Sequence, residues 1–181
     1  MLSSIQRPSE LNRLLLHMAG IKARTALELG GGELGTTLYL WTAMGPECRI
    51  VSVDLPENMR GTPASKEAEA ADRMGKSFKL VRGDTLSMET FKAVTDALGG
   101  KTVDVLLIDS EHTEQRAMGE FNLYKHLLSS IGIVAFHDIC MDELWPMWNR
   151  IRGTYPPWKT AEFIDMPMQR GCGLGVILAG A

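Results

Sequence analysis

The 181 residues suffice for one continuous core and fall short of two ordinary domains, so a single domain over 1–181 is expected. A hydrophobic fraction of 45% and a charged fraction of 23% exclude disorder, and a net charge of −3 supplies no basic field for nucleic acid or anionic lipid. There is no signal-peptide core and no run near the roughly 20 apolar residues of a membrane span, and the scattered Cys48, Cys140 and Cys172 suit a reducing, cytoplasmic setting.

From the N-terminus, Leu11, Leu14, Leu15 and Met18 recur at helical spacing behind the start signal Pro8-Ser9. Apolar runs follow at residues 25–29, 49–53, 78–81, 103–108 and 132–136. Each is short, bounded by Gly or Asp, and apolar at nearly successive positions, as strands buried on both faces of a parallel sheet are. Between them, Met88, Phe91, Val94 and Leu98 form a helical stripe capped by Ser87 and stopped by Gly99-Gly100. Ala117, Phe121, Tyr124 and Leu128 repeat the pattern within 113–129, and Leu144, Trp148 and Ile151 repeat it after Asp142. Residues 161–165 and 173–178 read as two final strands whose connection is too short for a crossover helix. The expected fold is α/β: a Rossmann-like doubly wound sheet of seven strands, mostly parallel with an antiparallel C-terminal strand.

The segment Glu28-Leu29-Gly30-Gly31-Gly32-Glu33-Leu34-Gly35-Thr36-Thr37 follows the first sheet strand and opens a helix. Glycines there allow a sharp turn and close approach of a ligand to free amide groups at the helix start. Gly30, Gly32 and Gly35 satisfy G-x-G-x-x-G, and Asp54 ends the second strand where a ribose-binding acid belongs, so an NAD(P)-dependent oxidoreductase is a rival reading. Glu28 argues against it, because a carboxylate at that position suits the sulfonium and ammonium of S-adenosyl-L-methionine better than a pyrophosphate. Asp54 is expected to accept from both ribose hydroxyls, and its loss to cost ligand affinity with little effect on the ligand-free fold. Asp84, after the third strand, is expected beside the adenine.

These motifs, E-L-G-G-G-E-L-G-T-T, then S-V-D, then R-G-D, resemble those of class I S-adenosylmethionine-dependent methyltransferases. The later I-D-S-E-H (108–112) and F-H-D (136–138) are similar to the I-D-G-D-H and H-D of the group that includes macrocin-type sugar O-methyltransferases and cephalosporin hydroxylases. The resemblance covers about residues 25–179 and implies methyl transfer to an oxygen of a small-molecule acceptor. It implies Asp109 and Asp138 as ligands of Mg²⁺, with Asp109 also facing the cofactor, and His112 as general base. Two departures stand out: His137 replaces an acid often found there, and Glu111 replaces the usual Asp.

The residues support part of this independently. Carboxyl ends of neighbouring strands open into one crevice, so Asp109, Glu111, His112, His137 and Asp138 are expected to meet. Without metal, His112 or His137 is the candidate catalytic base. Leu55 to Pro63 is expected to contribute to a lid; Trp145, Trp148, Tyr155 and Trp158 are expected to pack in the core rather than line an acceptor pocket. Gly35 and Thr36 complete the expected cofactor-binding set. A non-catalytic cofactor-binding subunit is the remaining alternative, and the sequence leaves the acceptor and the oligomeric state, a homo-oligomer included, open.

Overall fold

A computed structural model describes residues 7–55, 63–165 and 172–179. The elements run α1 (Pro8–Gly20), β1 (Thr25–Leu29), α2 (Gly35–Met44), β2 (Arg49–Asp54), α3 (Pro63–Met74), β3 (Phe78–Arg82), α4 (Met88–Leu98), β4 (Val103–Ile108), α5 (Glu114–Tyr124), β5 (Leu128–Phe136), α6 (Leu144–Gly153), β6 (Thr160–Phe163) and β7 (Leu174–Leu178). They build one seven-stranded sheet in the order β3-β2-β1-β4-β5-β7-β6. β7 is antiparallel to both β5 and β6, while the pairings among β1 to β5 are parallel, as the short final connection requires.

Side chains alternate across the sheet with the period of two that the pleat imposes. Leu27, Leu29, Val51, Val53, Leu106, Ile108 and Val134 enter one apolar layer with α4, α5 and α6. Ala26, Ile50, Val105, Leu107, Ile133 and Val176 enter the other, with α1 and α2. Each fully buried Leu or Ile stabilises the fold by about 1.5–3 kcal/mol relative to exposure. With apolar layers on both faces, the crevice opens at the strand ends.

Local signals explain most boundaries. Ser87 Oγ accepts from the Thr90 amide to cap α4, and Gly99 ends it at φ +62°. The 113–129 helix ends at Tyr124 instead, because Leu128 already pairs with Val103 in the sheet across an irregular register, with a 3-10 turn between. The sequence of α3, PASKEAEAADRM, has strong helix formers but little apolar stripe, which is why periodicity alone passed it over. The lid expected at Leu55 to Pro63 falls, for 56–62, outside the described residues. Trp148 is core, and no added side chain fits at Gly175, whose Cβ would lie 2.6 Å from the indole. Trp158 is 70% exposed, contrary to the core expectation, because its 3-10 turn sits outside the apolar layers.

Glu10 of α1 is fully buried and accepts from the backbone amides of Asp165 and Gly173, both at 2.9 Å. It thereby ties the first helix to the two sides of the β6–β7 connection. Among the described residues, no helix is long and apolar enough to cross a membrane.

Candidate active site

The ends of β1, β2, β3 and β4 enclose a crevice of about 480 Å³. Its floor is the glycine loop. Gly30 takes φ +95°, and a Cβ there would sit 2.1 Å from the Asp109 carbonyl oxygen, so only glycine lets the loop pass the end of β4. The Gly32 amide donates to Asp54 Oδ2 at 2.6 Å and the Leu55 amide to Oδ1 at 2.7 Å. The Asp54 carboxylate therefore braces the loop and faces the crevice at once. Those two amides give the ligand-free fold a reason to notice its loss, against the expectation from sequence.

The loop completes its turn before the helix begins: the Leu34 amide donates to the Gly31 carbonyl at 2.8 Å and Leu34 adopts φ +61°. Consequently the loop lines the crevice, whereas Gly35 and Thr36 are buried behind it in α2 and do not. Glu28 is also displaced from its expected place. It is fully buried, its Oε2 accepts from the hydroxyls of Thr37 and, at 2.9 Å, Ser52, and its Oε1 has no partner. Burial pushes its pKa up to about 8 despite those two hydrogen bonds.

At the β3 end, Asp84 is half-exposed; its Oδ1 accepts from the Leu86 amide at 2.9 Å and lies 2.8 Å from Arg116 Nη1. It is a turn acid paired at the rim, while Gly83 and Thr85 on either side of it line the crevice. Beneath this wall lies Glu120, which the sequence reading did not single out. Its Oε1 accepts from the hydroxyls of Thr85 and, at 2.6 Å, Ser110, with Arg116 Nε 3.5 Å away. The available signal was an acid falling inside the buried stripe of Ala117, Phe121 and Tyr124.

At the β4 and β5 ends the expected cluster does assemble. His137 Nδ1 lies 3.0 Å from Asp109 Oδ1 and 3.3 Å from Asp138 Oδ1, and His112 Nε2 lies 3.1 Å from Asp138 Oδ2. Asp138 holds φ +55°, a left-handed conformation that Asp tolerates better than most residues. Burial disfavours a charged His137 ring, but the Asp109 carboxylate outweighs it and pushes the pKa up to about 10. Burial likewise opposes ionisation of Asp109, and the charge of His137 holds it below the usual range nonetheless. Pairing with Asp109, against the cost of burial and with the charge of Asp138 added, raises His112.

Asp109, His137 and Asp138 offer three donor atoms within 4.8 Å of one another. His137 Nδ1 and Asp138 Oδ1 are buried and face each other without an aligned hydrogen bond, and Nδ1 can ligate a cation only after giving up the proton that the two carboxylates favour. The His137 side chain is 3% exposed and does not line the crevice. His112, at 36%, does line it, beside Glu111.

A family profile described as a methyltransferase domain matches residues 27–139, a span that contains the whole crevice lining and the Asp109, His137 and Asp138 cluster. Among solved structures, the chain resembles the O-methyltransferase TomG from Streptomyces achromogenes, involved in tomaymycin synthesis and solved with SAM. Identity is 16% and the TM-score 0.74, over 98% of this chain and 82% of that one. An O-methyltransferase from Bacillus cereus in complex with SAH is similar at 13% identity and a TM-score of 0.71, over 98% and 84% of the two chains. At these identities the likeness is one of fold. No curated protein matches the chain significantly.

Proposed function

Because this chain belongs to the methyltransferase domain family, we propose that its crevice binds S-adenosyl-L-methionine and directs the methyl group to an oxygen of a small-molecule acceptor. The observation that carries this reading is the juxtaposition of a glycine-floored crevice with the His112, Asp109 and Asp138 cluster at its β4 end. S-adenosylmethionine supplies an electrophilic methyl carbon on a sulfonium.

The protein's share is binding, alignment and proton transfer. Asp54 accepts from the vicinal ribose hydroxyls, and the amides of the glycine loop approach the ligand closely where no side chain intervenes. His112 removes the acceptor's proton. Asp138 Oδ2, 3.1 Å from Nε2, and Asp109 hold the ring at the crevice wall.

The resemblance also implies a divalent metal, and the donor set fits one: two carboxylates and a buried imidazole nitrogen, the imidazolium proton being displaced when the cation enters. Asp109, Asp138 and His137 would hold it, and it would supply positive charge that favours an ionised acceptor oxygen. One imidazole among the donors admits Mn²⁺ or Fe²⁺ as readily as Mg²⁺.

Calorimetric titration with S-adenosylhomocysteine and with NAD tests the cofactor. Micromolar binding of the first and negligible binding of the second is the expected outcome; tight NAD binding with no response to S-adenosylhomocysteine would overturn the proposal.

A further inference from the structure

We propose that Glu120, a residue outside the reacting centre, sets which nucleobase the crevice accepts, by fixing Thr85 and Ser110 as hydrogen-bond acceptors toward it. The inference rests on the cofactor reading above and adds the chemistry that selects the base.

A hydroxyl has one proton to give. Glu120 is fully buried, and its single oxygen Oε1 takes the proton of Thr85 and that of Ser110. Whether Glu120 is ionised or carries its proton on the partnerless Oε2, Oε1 accepts from both hydroxyls. Thr85 and Ser110 both line the crevice, one from the end of β3 and one from the end of β4. Toward a ligand, each oxygen then has lone pairs and no proton.

The backbone around them is pinned as well. Tyr124 Oη donates to the Thr85 carbonyl at 2.8 Å, and Leu86 packs against Gly119, where a Cβ would approach Leu86 Cδ2 to 3.1 Å. Three positions of one α5 face, Arg116, Glu120 and Tyr124, thus hold this part of the crevice rim in place.

A wall of two acceptors complements a base that presents a donor there, such as the exocyclic amino group of adenine. A 6-oxo base would set lone pair against lone pair at position 6, its one donor on that edge having moved to N1. Glu120 touches neither ligand nor reacting atoms and is therefore a positioning residue. If it only stabilised the fold, its loss would weaken all ligands alike.

The test compares S-adenosylhomocysteine with S-inosylhomocysteine, which differ by amino against oxo at that position, using calorimetry on the full chain. Wild type should favour the adenosyl ligand by about 10–100-fold, the usual consequence of leaving buried polar groups unpaired. Glu120→Gln keeps an acceptor oxygen and should retain most of the preference. Glu120→Leu frees both hydroxyls to rotate and donate, and the preference should shrink to within a few-fold. Should that variant fail to fold, Ser110→Ala removes one acceptor without emptying the core and should reduce the ratio on its own. Equal binding of the two ligands by wild type, or an undiminished ratio in Glu120→Leu or, in its place, Ser110→Ala, overturns the inference while leaving the cofactor reading intact. Binding of neither ligand overturns both.

Discussion

His112 Nε2 stands 3.1 Å from Asp138 Oδ2, so a ring from the loop after β4 is oriented by a carboxylate from the end of β5. The two residues come from neighbouring parallel strands, and only their shared strand-end edge brings them together. Asp138 also turns its other oxygen toward His137, so one side chain serves both halves of the cluster.

Replacing His112 with Ala should therefore separate base from binding. Turnover is expected to fall by about 10²–10⁴-fold with S-adenosylhomocysteine affinity nearly unchanged. Steady-state kinetics beside calorimetry decide it. An active His112→Ala enzyme would remove His112 from the proton-transfer role.

Metal binding should depend on both carboxylates and on His137. Mn²⁺, followed by its paramagnetic signal, is expected to bind the wild type and to be lost in Asp109→Asn and Asp138→Asn. His137→Ala should weaken it by about 10–100-fold, the scale on which altered metal-site partners act. Chelator should suppress turnover, with Mn²⁺ or Mg²⁺ restoring it. Unchanged turnover in chelator would leave His112 acting without a metal.

Asp54→Ala should lose twice. Cofactor affinity is expected to fall by about 1.5–3 kcal/mol with the loss of hydrogen bonds to a charged acceptor. The ligand-free protein should also melt lower, because the Gly32 and Leu55 amides lose their acceptor. Thermal melts with and without S-adenosylhomocysteine separate the two effects; a variant as stable as wild type would deny Asp54 its bracing role.

The buried Glu28 predicts a pH dependence. Its folded pKa of about 8 lies above the ordinary carboxyl value of 4.5, so its contribution to stability is fully present below 4.5 and is lost as pH rises through 8. Between those limits the slope reaches at most about 1.4 kcal/mol per pH unit. Glu28→Gln keeps an acceptor for Thr37 and Ser52 but cannot ionise, and should flatten this part of the curve. Urea denaturation at several pH values makes the comparison, and identical slopes in both proteins would refute the assignment.

Chain order, apolar runs and turn chemistry were enough to read the seven strands, the reversed last strand, the Ser87 cap and the Gly99 stop, because those depend on residues close in sequence. The meeting of Asp109, His112, His137 and Asp138 was legible too, since parallel strands present their carboxyl ends on one edge. Direction of side chains was not. Glu28 sits in a strand where alternation decides its face, and only the structure shows that this face packs against Thr37 and Ser52. His137 and His112 both read as candidate bases in sequence, yet depth in the strand end buries one and leaves the other at the crevice. Glu120 gained its place only when α5 docked over the ends of β3 and β4, joining Thr85 and Ser110 through one oxygen. Local patterns record what a segment forms; which polar atoms remain unpaired, and what they face, is settled when the layers close and exclude water.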